Sequence, residues 1–422
     1  MDCRNLIEIT VILDLYARIF WFHEFTKGGR YMSNHNASPQ MLGYLFQVRC
    51  ALALLLVDEN EKASLCLEKF DDIAFSNDNV SPHVLIQTKH HVTNRGDLTN
   101  ASDDLWRTLK VWIDHSAKHD ISDIRFVIIT TSNAPNGSAS SLLRYDNRDV
   151  EGAYQLLKNV AETSKNNANA GYYSAFLQLS EDKMLGILRN TTVIDAFVNI
   201  ENVTNTIKKV LRYATRINFE DRVLERIEGW WFEQSIKALS ASQPVFIAQG
   251  QVRSRIREVS EEYSPDNLPI DIDFADDISI NDLPDRERVF CEQLKLIAVK
   301  ENRLKVAIRN YYRAFSQRNK WIKDELLYIV ELEEYERKLV EEWESLFARM
   351  QDEVPENADE MVKQRAGMAL YGTVEDKDIR IRPQCSEPFV MRGSYHILAN
   401  RLKVGWHIDF INRLELILSR EG

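Results

Sequence analysis

Two short segments decide how the N-terminal part of this chain is expected to fold: residues 67–75, LEKFDDIAF, and residues 86–89, IQTK. Both mix β-branched or aromatic residues with polar ones, which is typical of strands with one buried face. Residues 76–79, Ser-Asn-Asp-Asn, follow the first segment and have the composition of a hairpin turn. We therefore expect two neighbouring antiparallel strands.

The elements around this pair predict an α+β fold. Residues 39–57 repeat apolar residues at helical spacing after Ser38, and residues 124–130 contain the continuous apolar run FVII of a buried strand. The predicted order is helix, three strands, helix, strand (αβββαβ), which suits a small mixed β-sheet flanked by helices. The predicted elements are, in chain order, 39–57, 63–68, 72–75, 83–89, 102–119 and 124–130.

The rest of the chain is predicted to be mostly helical. We expect a core domain at 38–145 that contains the predicted sheet, a helical middle region at 146–284 that ends in an acidic linker, and a long-helix region at 285–422. Residues 142–206 are predicted to be helical, with a break at 165–169. No Gly or Pro occurs in 285–354, which predicts one very long helix or an antiparallel pair. The acidic run Glu331 to Glu336 in it is expected to be a solvated face.

The N-terminal stretch, residues 1–37, is expected to be a separate extension. Met32 and the polar run after it resemble an alternative start, so residues 1–31 are a candidate upstream segment rather than part of the functional protein. The apolar run within 7–25 is interrupted by charged residues, and this argues against a spanning helix or a signal peptide. No membrane association is therefore expected.

Composition limits the function classes. The 422 residues carry a net charge of −11 and only 15 glycines, which excludes collagen-like or disordered chains and a simple polybasic DNA binder. It leaves a nuclease open, because a catalytic groove needs only local positive charge. Five scattered cysteines without a CxxC pair predict free thiols in a reducing, cytoplasmic setting. No GxxxxGK[ST] motif occurs, so any ATPase activity must come from another chain.

A set of polar residues on the predicted strands carries the chemistry. Side chains two positions apart on a strand share a face, so Gln87 and Lys89 point together while Thr88 faces away. If Asp72 begins the neighbouring antiparallel strand, its carboxylate arrives beside them. Mg²⁺ prefers oxygen ligands such as the Asp72 carboxylate and the Gln87 carbonyl, and Lys89 could position water and stabilise developing charge. Glu68 and Asp71 are second candidates.

These motifs resemble a known superfamily. The D…QxK pattern on the second and third strands is similar to the core of PD-(D/E)xK nucleases, in the variant of Mrr-like restriction endonucleases where Gln replaces an acidic residue. Residues 42–47 (LGYLFQ), 68–73 (EKFDDI) and 87–91 (QTKHH) look like the double-stranded-DNA endonuclease domain of bacterial anti-phage effectors. This resemblance covers about 39–144.

A second resemblance lies downstream. Residues 226–232 (RIEGWWF), 391–396 (MRGSYH) and 404–407 (VGWH) resemble the C-terminal region of effectors from ABC/SMC-type three-component defence operons. The nucleotide-sensing domain of cyclic-oligonucleotide nucleases is not recognisable, so the Lamassu nuclease effector is the better likeness. The resemblance implies an SMC-like ATPase subunit and an accessory subunit as partners, and a homo-oligomer when active.

The resemblance also implies roles for individual residues. Asp72 and Gln87 would hold Mg²⁺ or Mn²⁺, and Asp72, Gln87 and Lys89, with Glu68 and Asp71 as weaker candidates, would carry out phosphodiester hydrolysis. The expected auxiliary residues are Gln47, His90 and His91, and the expected DNA contacts are Arg95, Arg107, Lys110 and Arg125. Two alternatives stay open: a non-catalytic assembly subunit of such a complex, and an RNase with the same core.

Overall fold

The structure is a computed structural model that describes residues 38–91, 96–146, 148–198, 200–271 and 289–418. It divides at Ser260 into two compact units, and each is described by itself. The predicted extension 1–37 and most of the predicted acidic linker lie outside the described residues. The α+β prediction is confirmed: a mixed sheet lies in the N-terminal part, and long helices follow in the C-terminal part.

The first unit contains the predicted order of helix, three strands, helix and strand. Its opening elements are α1 (Ser38–Val57), β1 (Ser64–Leu67), β2 (Ile73–Ser76), β3 (Pro82–Lys89), α2 (Asp103–Ser116) and β4 (Arg125–Thr130). The elements that follow are α3 (Ala139–Leu142), α4 (Val150–Thr163), a 3₁₀ turn (Asn167–Asn169), α5 (Ala170–Gln178), α6 (Glu181–Asn190), β5 (Thr191–Ile194), α7 (Ile200–Leu211), α8 (Glu220–Ser240), β6 (Ile247–Ala248) and α9 (Gln249–Glu262).

Six strands of the described residues form one sheet in the order β5-β4-β3-β2-β1-β6. The pairs β1–β2 and β2–β3 are antiparallel, and β3–β4 and β4–β5 are parallel. The sheet thus uses β5 and β6, which come from beyond residue 145. The prediction that 142–206 is helical is wrong at β5, where Thr191–Ile194 adds a parallel strand beside Phe126–Ile129 of β4.

Helix α1 is a core helix of this unit. Its second half is buried from Cys50 to Leu56, and it packs against β1, β3, α7 and α8. By length and apolar composition Gln40–Val57 would also pass as a membrane span, and half of that window is buried inside the fold. Packing against the sheet explains this apolar character without a bilayer. The cysteines that the structure describes (Cys50, Cys66, Cys291 and Cys385) are buried and form no disulfide bond with one another, and Cys3 lies outside the described residues.

The second unit consists of helices. They are α10 (Val289–Leu296), α11 (Glu301–Lys323), α12 (Ile329–Glu353), α13 (Glu360–Glu375), α14 (Pro388–Asn400) and α15 (Phe410–Leu418). Helices α11 and α14 make the most extensive contact, and Gly393 permits it, because a Cβ there would meet the backbone carbonyl of Asn310. Close packing of two helices at a small residue holds this unit together.

The prediction of one helix or a pair across 285–354 is wrong, because its described part, from Val289, forms three helices. Ala298 and Glu325 take the left-handed conformation, with φ of 59° and 58°. The residue after each donates its N–H back to the preceding helix: Val299 to the Leu294 carbonyl at 3.0 Å and Leu326 to the Trp321 carbonyl at 2.9 Å. Helices commonly end this way with Gly, and here Ala and Glu adopt the same motif.

The acidic run on α12 is also not a simple solvated face. Glu331 accepts hydrogen bonds from Arg382 at 2.7 and 2.9 Å. Glu336 is buried and pairs with buried Arg318, and Arg401 lies 3.3 Å from the same carboxylate. Glu333 and Glu334, by contrast, are exposed. Half of the charges that we expected in water therefore hold helices of the second unit together.

The buried pair generates a stability prediction. Replacing Glu336 by Ala leaves the Arg318 guanidinium buried without its counter-charge, so the free energy of unfolding should fall by about 3–5 kcal/mol. Glu341→Ala is the matched control, because Glu341 pairs with Arg337 on the exposed surface of the same helix, and should cost less than about 1 kcal/mol. Urea unfolding monitored by circular dichroism measures both. Equal losses of unfolding free energy in the two variants would contradict a buried Glu336–Arg318 pair.

Candidate active site

The register between β2 and β3 brings two of the predicted site residues side by side. Ile73 pairs with Ile86, so Asp72, the residue before β2, lies next to Gln87 on β3. Gln87 Nε2 donates a hydrogen bond to Asp72 Oδ1 at 2.9 Å. The sequence prediction placed Asp72 at the start of the neighbouring antiparallel strand, and the structure places it one residue before that strand begins.

The Gln87 amide is the centre of the cluster. Its Nε2 also donates to Asp71 Oδ1, and its Oε1 accepts a hydrogen bond from Lys89 Nζ at 2.8 Å. Gln87 and Lys89 thus share one face of β3, as alternation along a strand requires. Gln87 is buried, whereas Asp72 and Lys89 are partly accessible. One end of this hydrogen-bonded chain therefore opens towards solvent.

Thr88 is a site neighbour that sequence reasoning missed. We expected it to face away, but Asp72 Oδ2 accepts hydrogen bonds from its backbone N–H at 2.8 Å and from its hydroxyl at 3.0 Å. Asp72 precedes β2, so its carboxylate reaches across the end of the ladder to the backbone of β3. The contact fixes the orientation of the Asp72 carboxylate, with Oδ1 towards Gln87 and Oδ2 towards Thr88.

Asp71 is the buried carboxylate of the cluster. Its side chain accepts hydrogen bonds from Gln87 and from the indole N–H of Trp112 on α2, the latter at 2.7 Å. Burial raises the pKa of Asp71 to about 6, and the nearby Asp72 charge adds to the rise, while the bonds from Trp112 and Gln87 oppose it. Trp112 is fully buried, so its hydrogen bond fixes the orientation of the Asp71 carboxylate from the side of α2.

Glu68 and Gln47 complete the cluster from two other elements. Glu68 follows β1 and has a φ of 55°, so the strand ends there and simple alternation does not orient its side chain. Burial raises the pKa of the Glu68 carboxyl, a hydrogen bond with Gln47 and the charge of Lys89 oppose the rise, and the charge of Asp72 adds to it. Gln47 on α1 also donates to the Asp72 backbone carbonyl at 2.7 Å. Glu68 therefore faces the same cluster.

The two histidines after Lys89 have partners of their own. The His90 ring stacks on Phe46 with ring centroids 4.7 Å apart, and burial lowers its pKa, as does the neighbouring His91. His91 Nε2 lies 2.7 Å from a carboxylate oxygen of Asp104 at the start of α2. Both rings therefore connect the end of β3 to adjacent helices, beside the cluster rather than within it.

Of the four predicted DNA contacts, the three that the structure describes do not all lie at one place. Arg95 lies outside the described residues. Arg107 and Lys110 form ion pairs one turn away along α2, with Asp103 and Asp114. Arg125 bonds to Asn190 and starts β4 beside Val84, five residues along the strand from Lys89 or roughly 17 Å. The structure thus does not bring Arg125 to the cluster.

The donor chemistry of the cluster suits a hard cation. Asp72, Glu68 and the Gln87 amide offer oxygen ligands of the kind that Mg²⁺ or Mn²⁺ prefers. Within the described residues no group of three His, Cys, Asp or Glu side chains is already arranged around a metal position. The Gln87 carbonyl, moreover, faces Lys89. Cation binding by Gln87 would require its amide to turn, exchanging the Oε1 and Nε2 positions.

Comparison with known families concerns the second unit. Residues 290–414 match the family model of C-terminal domain 7 of the ABC-three component (ABC-3C) systems. This part of the chain is similar to an ABC-3C C-terminal domain. The match supports membership of the chain in that family of defence systems, and it covers helices α10 to α14 and the start of α15. No curated protein matches the chain. The ABC-3C match does not extend to the sheet with the polar cluster.

The raised pKa of Asp71 predicts a pH-dependent stability. A carboxyl with a folded-state pKa of about 6 and an unfolded value of 3.8 binds more protons when folded, so it reduces stability as pH rises through that window. Asp71→Asn removes this loss. The unfolding free energy of the variant relative to wild type should therefore rise by about 2 kcal/mol between about pH 4 and pH 7, measured by urea unfolding.

Asp78→Asn is the control for this prediction. The backbone N–H of Ser81 and other bonds of the β2–β3 turn hold the pKa of Asp78 lowered, at about 2. Its contribution to stability is therefore constant above its unfolded value of 3.8 and is lost only as pH falls further. The difference in unfolding free energy between Asp78→Asn and wild type should stay constant between pH 4 and 7. If the difference for Asp71→Asn is also constant over this range, the raised pKa of Asp71 is refuted.

Proposed function

We propose that this protein is a metal-dependent DNA endonuclease, the effector of an ABC-3C anti-phage or anti-plasmid defence complex. The observation that carries the proposal is the convergence of Asp72, Gln87 and Lys89 at the adjoining ends of β2 and β3. The sheet that holds them has the αβββαβ order expected for a PD-(D/E)xK-type core. The ABC-3C domain in the same chain supports the defence setting.

Each residue of the cluster has a role in phosphodiester hydrolysis. A bound Mg²⁺ would supply electrophilic assistance at a phosphate oxygen. Asp72 and Glu68 would hold the cation, and Gln87 would contribute its carbonyl once its amide has turned. Lys89 is the accessible cation of the cluster, and its ammonium would orient the attacking water and offset the charge that develops on the phosphate. Asp71 and Thr88 would keep Gln87 and Asp72 in place.

The proposal includes control by other subunits. An unregulated DNA endonuclease would attack the host chromosome, so the SMC-like ATPase subunit, with an accessory subunit, would hold the effector inactive until activation allows it to oligomerise. The net charge of −11 and the ion-paired state of Arg107 and Lys110 support this order of events, because two of the predicted DNA contacts are already paired with carboxylates in a single copy. Copies assembled together would form the DNA-binding groove.

Lys89 provides the test of the catalytic assignment. Lys89→Ala should reduce Mg²⁺-dependent cleavage by at least ~10²-fold, because it removes the ammonium that would orient the attacking water and offset the charge developing on the phosphate. The measurement is nicking and linearisation of supercoiled plasmid by the chain with and without its SMC-like partner. Lys62→Ala is the control, because Lys62 is exposed before β1, at the end of the strand away from the cluster. Cleavage retained in Lys89→Ala would refute the assignment.

The substrate is tested in the same assay. Plasmid DNA and single-stranded RNA are incubated separately, each with Mg²⁺, with Mn²⁺ and with EDTA. Cleavage of DNA alone, abolished by EDTA, supports the proposal. Cleavage of RNA alone would favour an RNase with the same core. If neither polymer is cut by the oligomer or by the partner complex, and Lys89→Ala behaves as wild type in assembly, the chain is a non-catalytic assembly subunit.

A further inference from the structure

Two histidines near the end of α2 form a pair away from the candidate active site. His115 lies in the last turn of α2, and the His119 N–H donates to the His115 carbonyl at 3.0 Å, so one more helical turn separates them. Their rings stack, with centroids 4.6 Å apart and planes inclined by 29°. Residues four apart on a helical turn place their side chains on one face, so both imidazoles point the same way.

The pair borders a cleft of about 540 Å³. The cleft lies at the end of the sheet where β3 and β4 begin, because Pro82 and Ile124 line it, whereas Lys89 is the last residue of β3. Aspartates Asp120 and Asp123 line it together with the histidines. The cleft therefore combines nitrogen donors with negative charge, and Gln87 lies five residues along β3 from Pro82, or roughly 17 Å.

The state of the histidines suits metal binding. His115 Nε2 is buried and has no hydrogen-bond partner in the described part of the chain. An imidazole nitrogen without a hydrogen-bond partner is available as a metal ligand. The two rings are stacked, so their in-plane lone pairs run nearly parallel, and at least one ring would rotate for both nitrogens to reach the same ion.

We propose that His115 and His119 form a two-nitrogen binding site for a divalent transition-metal ion such as Zn²⁺, with water and a carboxylate of Asp120 or Asp123 completing the coordination. Paired imidazoles favour such ions over Mg²⁺, which prefers oxygen. The described residues contain no preformed group of three ligands, so the side chains of the two histidines and one aspartate would reorient as the ion binds. The ion would then fasten the end of α2 to the segment leading into β4.

Zinc titration of the full-length, untagged protein tests this site. Isothermal titration calorimetry is carried out in excess Mg²⁺, which occupies the oxygen ligands around Asp72 and separates this site from the proposed catalytic cation. We expect one Zn²⁺ ion per chain. His115→Ala and His119→Ala should each weaken binding by about tenfold or more, because each removes one of two nitrogen ligands. Bound Zn²⁺ should also raise the melting temperature of wild type and not of the double variant.

Three further variants make the result decisive. His91→Ala removes a partly accessible histidine outside the cleft, and Asp72→Asn removes the central carboxylate of the candidate active site; both should bind Zn²⁺ as wild type does. His119 is exposed, so His119→Ala remains informative if His115→Ala fails to fold. Asp120→Asn should weaken binding less than either histidine variant. Unchanged Zn²⁺ affinity in the His115/His119 double variant, or no binding by wild type, would overturn the proposal.

Discussion

The antiparallel register between β2 and β3 is the constraint on which the candidate site depends. The pair Ile73–Ile86 is fully buried, and a slip of one residue would turn these apolar side chains to the opposite face. Burial of the isoleucines therefore fixes the pairing, and the pairing then sets Asp72 beside Gln87. Burial of the neighbouring hydrophobic residues thus positions the polar ones. The polar residues need not stabilise the strand pairing themselves.

Burial of the polar cluster has to be compensated locally. Asp71 and Gln87 are both buried, and a buried carboxylate or amide without partners is costly. Here Trp112, Asp71, Gln87 and Lys89 form a continuous chain of hydrogen bonds from α2 to the accessible end of β3. Such a chain holds the Gln87 amide in one orientation, so turning the amide towards a cation would require the bonds at both of its ends to be replaced.

Local features of the fold could be predicted from the sequence, and contacts between residues distant in the chain could not. Alternation, apolar runs and turn composition predicted β1 to β4 and the D…QxK residues, because each of these patterns lies within a few consecutive residues. Trp112, which lies 41 residues from its partner Asp71, carries no sequence signal of that contact. The four-residue strand β5 was too short for its period to be distinguished from a helix. The helix ends at Ala298 and Glu325 were missed because Ala and Glu usually continue a helix.

The distribution of charge in the second unit bears on how the proposed nuclease would be controlled. An acidic segment can inhibit a nuclease by imitating DNA only if its carboxylates are free to meet a basic groove. Glu331 and Glu336 are instead engaged with Arg382 and Arg318, and releasing Glu336 would leave a buried guanidinium uncompensated. Two carboxylates of the run on α12, Glu333 and Glu334, are therefore exposed and able to contact a basic groove. Such a small charge is strongly screened at physiological salt, which favours control through subunit assembly over control by electrostatic masking.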